Sequence, residues 1–302
     1  MRMTFRQVAR PGHDNGQVQR ALARCLRPTT PAVQLDRRVV SDYFPFDYAP
    51  AGNSAQLIDM IFPGDANHHG TLFGGVALAH MDKIAFLAAT RHGRAPFVTA
   101  SSQKIDFEAP GRIGEIIEAT GRIVRVGNSS LDVEVELIAE ALVSGERRLC
   151  TRGRFTLVAV KGPETRLPLP PMTAETSDDG DGRLRMVEMV FPQSTNHFGN
   201  LFGGDALKMM GKAAFITATR HARATMVMAS SDRVDFQTAI KEGEMVELVC
   251  EVRMTGRASV MVGVELWAEE LLTGRRHHAA TATFTMVSVD DNGRPLRFAG
   301  RE

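Results

Sequence analysis

Residues 60–160 recur at 189–289 with a constant offset of 129 and no insertion or deletion. About 46 of the 101 aligned positions are identical. The match is carried by runs such as Met60-Ile61-Phe62-Pro63 against Met189-Val190-Phe191-Pro192, and Leu72-Phe73-Gly74-Gly75 against Leu201-Phe202-Gly203-Gly204. Solenoid repeats run to about 20–50 residues, so a repeat of this length is a whole domain duplicated. One difference breaks the symmetry. Met81-Asp82-Lys83 aligns with Met210-Gly211-Lys212, so a carboxylate in the first copy has no counterpart in the second. The two halves have divided a job between them.

Within one copy the order of elements is a short strand, a Gly-Gly entry, one long helix and a run of strands. From Val76 to Thr90 the chain is apolar except for His80, Asp82 and Lys83. A helix of about 17 residues spans ~25 Å, and one that is apolar nearly all round is expected to be wrapped by other structure. The wrapping follows in sequence. Residues 129–142 alternate Leu131, Val133, Val135 and Leu137 with Asp132, Glu134 and Glu136, the period-2 pattern of a strand with one buried face. Residues 97–107, 115–125 and 149–160 are further strand candidates, and Val260, Val262, Val264 and Leu266 repeat the alternation in the second copy. The pattern predicts an α+β fold, an antiparallel sheet curled around one helix. A lone unit leaves a sheet edge and one helix side open, so two units pair, and fusion holds the partner at high effective concentration.

The length of 302 residues accommodates two such domains. We expect an N-terminal extension over 1–54, domains over 55–160 and 184–295, a Pro-, Gly- and acid-rich linker over 161–183, and a tail over 296–302. Up to residue 40 there are eight arginines and two aspartates. A mitochondrial transit peptide shares that bias, but Pro11, Pro28 and Pro31 interrupt any amphipathic helix, which favours a plain extension. A net charge of +1 provides no general attraction to nucleic acid or anionic membranes. No apolar run reaches the ~18 residues of a membrane span. Cys25, Cys150 and Cys250 have no metal or redox spacing and read as thiols of a reducing, cytoplasmic compartment. No metal or cofactor is expected, and His277-His278 reads as a solvated pair.

The string Phe62-Pro63-x-Asp65-Ala66-Asn67-His68-His69-Gly70-x-Leu72-Phe73-Gly74-Gly75, followed by Met81-Asp82 and Thr90-Arg91-His92, resembles the acyl-CoA thioesterases of the tandem-hotdog type. So do Asp106-Phe107 and Gly127-x-Ser129-Ser130, and the second copy repeats the signature through Asn196-His197, Arg220-His221, Asp235-Phe236 and Gly256-x-x-Ser259. The resemblance implies two fused hotdog domains forming an intrachain pseudo-dimer, assembled into a homo-oligomer, a trimer of such chains. It also implies a site between the halves, where a loop asparagine of one half meets a helix aspartate of the other. By position the complete pair is Asn196 with Asp82, while Asn67 opposite Gly211 is a degenerate second site.

The chemistry is consistent with that. A thiol leaving group has a pKa of roughly 8.5, so hydrolysis of a thioester needs a polarised carbonyl and an activated water more than a strong acid. Gly203 and Gly204 at a helix start offer backbone N–H groups to an oxyanion, and His197 could help position substrate. Asp82 shares a helix face with Leu78, Ala85, Phe86 and Ala89, and burial there would suit it to general-base work or to attack on the thioester. Arg91 and Arg220 either complement helix C-termini or bind phosphate of CoA. Gly127, Ser129, Ser130, Gly256 and Ser259 either form strand-entry turns or contact the nucleotide. The expected activity is hydrolysis of acyl-CoA to a carboxylic acid and CoA. The alternatives are an acyl-CoA-binding or regulatory module without catalysis, and a hotdog hydratase, whose usual His–acid pairing is not evident. Nucleophile elbows, zinc-protease helices and Walker loops do not occur.

Overall fold

The computed structural model describes residues 54–162, 165–172 and 183–298. The N-terminal extension with Cys25, much of the linker and the last four residues of the tail lie outside them. The first half runs β1 (Ser54–Met60), α1 (Gly74–Gly93), β2 (Phe97–Ser102), β3 (Asp106–Phe107), β4 (Ile116–Val126), β5 (Ser130–Glu140) and β6 (Arg147–Ala159). The second runs β7 (Leu184–Met189), α2 (Gly203–Ala222), β8 (Met226–Ser231), β9 (Asp235–Phe236), β10 (Met245–Thr255), β11 (Ser259–Glu269) and β12 (Arg276–Ser288). Each sheet is antiparallel, ordered β1-β4-β5-β6-β2 and β7-β10-β11-β12-β8, with the two-residue strands β3 and β9 pairing β6 and β12. This is a tandem hotdog fold.

Strand β5 shows why the sheet forms. Leu131, Val133, Val135, Leu137 and Ala139 are fully buried, while Glu134 and Glu136 face outward toward Arg154 and Arg152 of β6. A fully buried Leu or Val stabilises the fold by about 1.5–3 kcal/mol. Ala77, Met81, Ile84, Ala85 and Ala88 of α1 lie against that surface at helical spacing. The expectation of a helix wrapped all round holds only for its C-terminal half. Toward the N-terminus only one side is covered: Ala77 is buried while Leu78 is 39% exposed. Each unit also runs past its expected boundary. Leu167 and Leu169 hydrogen-bond back to Ala159 and Asn128 and pack on the first core, while in the second half Leu296 hydrogen-bonds back to Ser288 and Phe298 packs on the core.

The cores interpenetrate. Val187, Met245 and Leu271 of the second half join the first core, and Ile58 and Ile116 join the second. The seam is also ionic. Lys83 of α1 reaches Glu188 of β7 at 2.7 Å, and Lys212 of α2 reaches Asp59 of β1 at 2.6 Å. At the helix ends Arg91 and Arg94 grip Glu269, while Arg220 and Arg223 grip Glu140, and both glutamates are 1% exposed. Arg94 and Arg223 adopt left-handed φ values of 46° and 49°, a conformation costing a non-glycine residue about 1–2 kcal/mol. Their guanidinium groups then meet the facing turns, where Gly145 (φ 72°) and Gly274 (φ 70°) leave room. A Cβ on either glycine would lie 2.9 Å from guanidinium carbon.

Removing one partner of a buried ion pair leaves the other charge uncompensated, at a cost of about 3–5 kcal/mol. Arg147 and Arg220 would keep Glu118, and these two and Arg223 are partly exposed, so Glu140→Ala is expected to destabilise the chain by less than that in thermal or denaturant unfolding. Burial opposes ionisation of Glu118, but hydrogen bonds from Arg147 and Arg220 outweigh it and hold the carboxyl below its ordinary value of 4.5. Its folded pKa lies below its unfolded one, so its contribution is complete above that range and is lost as pH falls through the folded value. The unfolding midpoint should drop on acidification below about 4.5, and Glu118→Gln should flatten that drop. An equal slope in both proteins would rule Glu118 out as the source.

Candidate active site

Asn196 sits in a tight turn ahead of α2. Its Oδ1 accepts hydrogen bonds from the backbone N–H of Phe198 at 2.9 Å and of Asn200 at 3.3 Å, and Gly199 closes the turn at φ 71°. With the carbonyl oxygen held by two backbone donors, the amide orientation is fixed by the network. Nδ2 is then the free end, a donor with no partner among the described residues. In the first half Asn67 makes the same turn, but its Nδ2 donates to Thr71 Oγ1 at 3.0 Å. Helix α2 begins at Gly203 behind Phe202, whose side chain cannot cap it. The first-turn N–H groups therefore point out of the helix without a side-chain acceptor, beside the positive end of its dipole.

Asp82 lies two turns into α1 and is half-buried rather than enclosed. Its Oδ1 accepts a hydrogen bond from Thr99 Oγ1 at 2.7 Å. Thr99 stands beside a bulge of β2, where the register against β6 shifts between Thr99 and Ser101. Bulges re-aim side chains next to functional sites, and here one turns a hydroxyl toward the carboxylate. The second half replaces both partners. Gly211 stands for Asp82 and Met228 for Thr99, and a Cβ built on Gly211 would lie 2.9 Å from Met228 Cε. The tip of the methionine side chain stands where a side chain on residue 211 would begin, and it would have to swing aside for one. Thr99 escaped the sequence analysis, although its replacement by Met228 in an otherwise matched Val-x-Ala-Ser-Ser string was a visible signal.

The segment between β7 and α2 approaches α1 at Lys83. Lys83 Nζ sits 5.7 Å from the centroid of the Phe191 ring, and a cleft of about 220 Å³ is bounded by Lys83, Glu188, Phe191, Ser194, Lys208 and Lys212. His80, one turn ahead of Lys83, is largely buried with Nδ1 lacking a hydrogen bond. Burial chiefly holds its pKa below the ordinary imidazole value, Lys83 and Lys212 adding to the effect and Asp59 and Glu188 opposing it. In the second copy the aligned residue is Met209.

Other expected site residues are placed differently. Arg91 and Arg220 are committed to carboxylates across the seam, at 3.2 Å from Glu269 and 2.7 Å from Glu140, so neither is presented to a phosphate. The N–H groups of Gly127 and Gly256 close their own turns on the carbonyls of Ser130 and Ser259 at 2.7 Å each, while the Ser129 carbonyl accepts from Ala159 N–H. These are strand-entry turns whose glycine donors are used internally. His197 is exposed and stacks at 3.9 Å on Phe198 at the tip of its loop. His278 bonds Thr281 and Gln237 on the outer sheet face.

A sheet curled around a helix, duplicated, with a carboxylate and an open amide on opposite halves, defines the class as a thioester hydrolase of hotdog architecture. The family model of the thioesterase superfamily matches residues 69–145 and 198–274, and the chain belongs to that family as an acyl-CoA thioesterase of the tandem-hotdog type. An acyl-CoA hydrolase structure from Agrobacterium tumefaciens is 50% identical, with a TM-score of 0.75, over 82% of this chain and 98% of that one. The cytosolic acyl coenzyme A thioester hydrolase of Mus musculus is 23% identical over 83% of this chain and 78% of its own length. An uncharacterized acyl-CoA thioester hydrolase of Bacillus subtilis is 37% identical over 39% of this chain and 69% of its own. No helix among the described residues is long and apolar enough to cross a membrane.

The environment of His80 makes a pH prediction. Its folded pKa is lowered, so the folded state favours the neutral ring. Stability is then undiminished above the unfolded value of about 6.5 and is lost as pH falls below it. His80→Met installs the residue that α2 carries at the same place, and it should reduce the loss of unfolding midpoint between about pH 7 and pH 5. Identical midpoint-versus-pH curves would show that His80 does not titrate across the transition.

Proposed function

We propose that hydrolysis occurs at one site per chain, built from Asp82 and Thr99 of the first half and Asn196, Gly203 and Gly204 of the second. The observation that carries this is the paired loss: where the first half holds a hydrogen-bonded Asp82–Thr99, the second holds Gly211 in contact with Met228. The Thr99 proton is spent on Oδ1, which leaves Oδ2 of Asp82 to take a proton from water. The hydroxide oxygen attacks the thioester carbonyl carbon, and the oxyanion that forms accepts from Asn196 Nδ2 and the N–H groups opening α2. Each such donor contributes about 3 kcal/mol to the transition state. The tetrahedral species collapses by breaking the C–S bond, releasing CoA as a thiol or thiolate and leaving the carboxylic acid. Direct attack by Asp82 to give an anhydride uses the same groups, and trapping with hydroxylamine in single turnover separates the two routes.

The first prediction is a free-thiol release assay on acyl-CoAs. Asp82→Asn should lower kcat by about 10²-fold or more, the scale of general-base loss, and Asn196→Ala should cost far more than Asn67→Ala. Equal effects of the two asparagines would exclude a single asymmetric site. Because Met228 offers no hydroxyl partner and must swing aside, Gly211→Asp alone should restore less turnover to Asp82→Asn than the double change. Gly211→Asp with Met228→Thr should restore a measurable part of it.

We further propose assembly beyond one chain, as a trimer. Phe73, Leu78, Val98 and Phe107 and their counterparts Phe202, Leu207, Val227 and Phe236 are all exposed, at 39–56%, and give both halves the same set of uncovered apolar side chains. Closed cyclic symmetry covers such a repeated patch without open-ended growth. Light scattering should give about three times the 33.0 kDa chain mass. A fully active monomer at nanomolar concentration would sink the proposal. The name of the mouse relative and the unpaired thiols support a cytoplasmic enzyme.

A further inference from the structure

The half-site that lost its catalytic residues has kept a place for an acyl chain. A cavity of about 300 Å³ opens at the first turn of α1, walled by Leu72, Ala77, Phe107, Pro110, Leu137 and Cys150. Gly74, which lines it, is the counterpart of Gly203, and Thr71, which also lines it, accepts a hydrogen bond from Asn67. An apolar cavity of about 150 Å³ already binds benzene, and ligand pockets begin at about 300 Å³. The walls suit a hydrocarbon tail. At the rim Thr71 bridges Arg112, an exposed cation that makes no ion pair among the described residues and complements an anionic headgroup.

The lining also carries the exposed carboxylate Glu108, but the Asp82–Thr99 pair has no counterpart in the second half. Gly211 and Met228 replace the carboxylate and its hydroxyl partner, and Asn67 Nδ2 is occupied by Thr71 Oγ1. We propose that this half-site is a second acyl-CoA site, one that binds without hydrolysing and houses the acyl chain in the cavity under Gly74. The proposal rests on Asp82 and Asn196 being the hydrolytic pair. It gives the chain two unlike sites for one ligand: a catalytic site and a site that retains it.

The test uses the full chain and S-octyl-CoA, a thioether that cannot be hydrolysed. Calorimetric titration should count two equivalents per chain. Cys150 lines the cavity, so saturating S-octyl-CoA should slow its alkylation by iodoacetamide about tenfold, read by peptide mass spectrometry, whereas CoA without an acyl group should not. Ala77→Leu narrows the cavity and should remove one equivalent while thiol release at the Asp82 site continues; Cys150→Met is the second such variant if Ala77→Leu does not fold. One equivalent per chain, or two with Cys150 reacting at its free rate, would overturn the proposal. Failure of the catalytic assignment reads out separately, as full turnover by Asp82→Asn, and leaves the count of equivalents unchanged.

Discussion

Two buried glutamates hold the molecule in its working arrangement. Glu140 and Glu269 end the central strands of their sheets, and each is gripped by arginines from the far end of the other half's helix. A carboxylate taken out of water is expensive unless it is paired and hydrogen-bonded. Neither half satisfies its own glutamate by itself in the manner seen here, since the helix that supplies Arg220 and Arg223, or Arg91 and Arg94, belongs to the other. The left-handed backbone at Arg94 and Arg223 is a cost of about 1–2 kcal/mol each, borne where the side chain must turn back across the seam. The same contacts set the position of α1 relative to the loop before α2. The proposed chemistry depends on that positioning, because its base and its amide donor lie on opposite halves.

The symmetry of that clamp leaves room for the proposed catalytic asymmetry. Every residue of the clamp has a counterpart 129 positions away: Arg91 and Arg220, Arg94 and Arg223, Glu140 and Glu269, Glu118 and Glu247. The seam lysines do too, with Asp59 and Glu188 as their partners. Among the many positions where the halves differ are Asp82, Thr99, Thr71 and His80, none of which belongs to the clamp. A duplicated scaffold keeps both copies of what stabilises it. It is free to lose one copy of what reacts.

Much of this was legible in the sequence, for physical reasons that can be named. The period-2 alternation of β5 and the constant offset fixed strand, helix and duplication, because burial on one face leaves a direct pattern. The missing carboxylate at Gly211 was visible as a single letter. The destiny of Arg91 and Arg220 was not. A cation near a helix C-terminus looks the same whether it meets a phosphate or a glutamate, and Glu140 and Glu269 lie about 50 residues from the cations they pair within the repeat register. Likewise the turns at Gly127 and Gly256 consume their own N–H donors, which spacing cannot reveal. Thr99 depends on a bulge in β2, a register shift with no sequence mark of its own.

The contrast between Asn196 and Asn67 carries the asymmetry one step further than the carboxylate. Both residues fold the same turn, and both spend Oδ1 on backbone donors. A threonine at position 71 absorbs the amide of Asn67, whereas Asn200 at the matching position leaves that of Asn196 free. A free donor facing a developing oxyanion is worth more than one that must first break an internal bond, since the preorganised group has no reorganisation to undergo. In the proposed mechanism the two halves differ in electrophilic assistance as well as in base, and both losses fall in one half-site. A site stripped of only one function would still bind and slowly react. A site stripped of both can hold a thioester intact, which is the condition for a chain to bind its substrate in one place and cleave it in another.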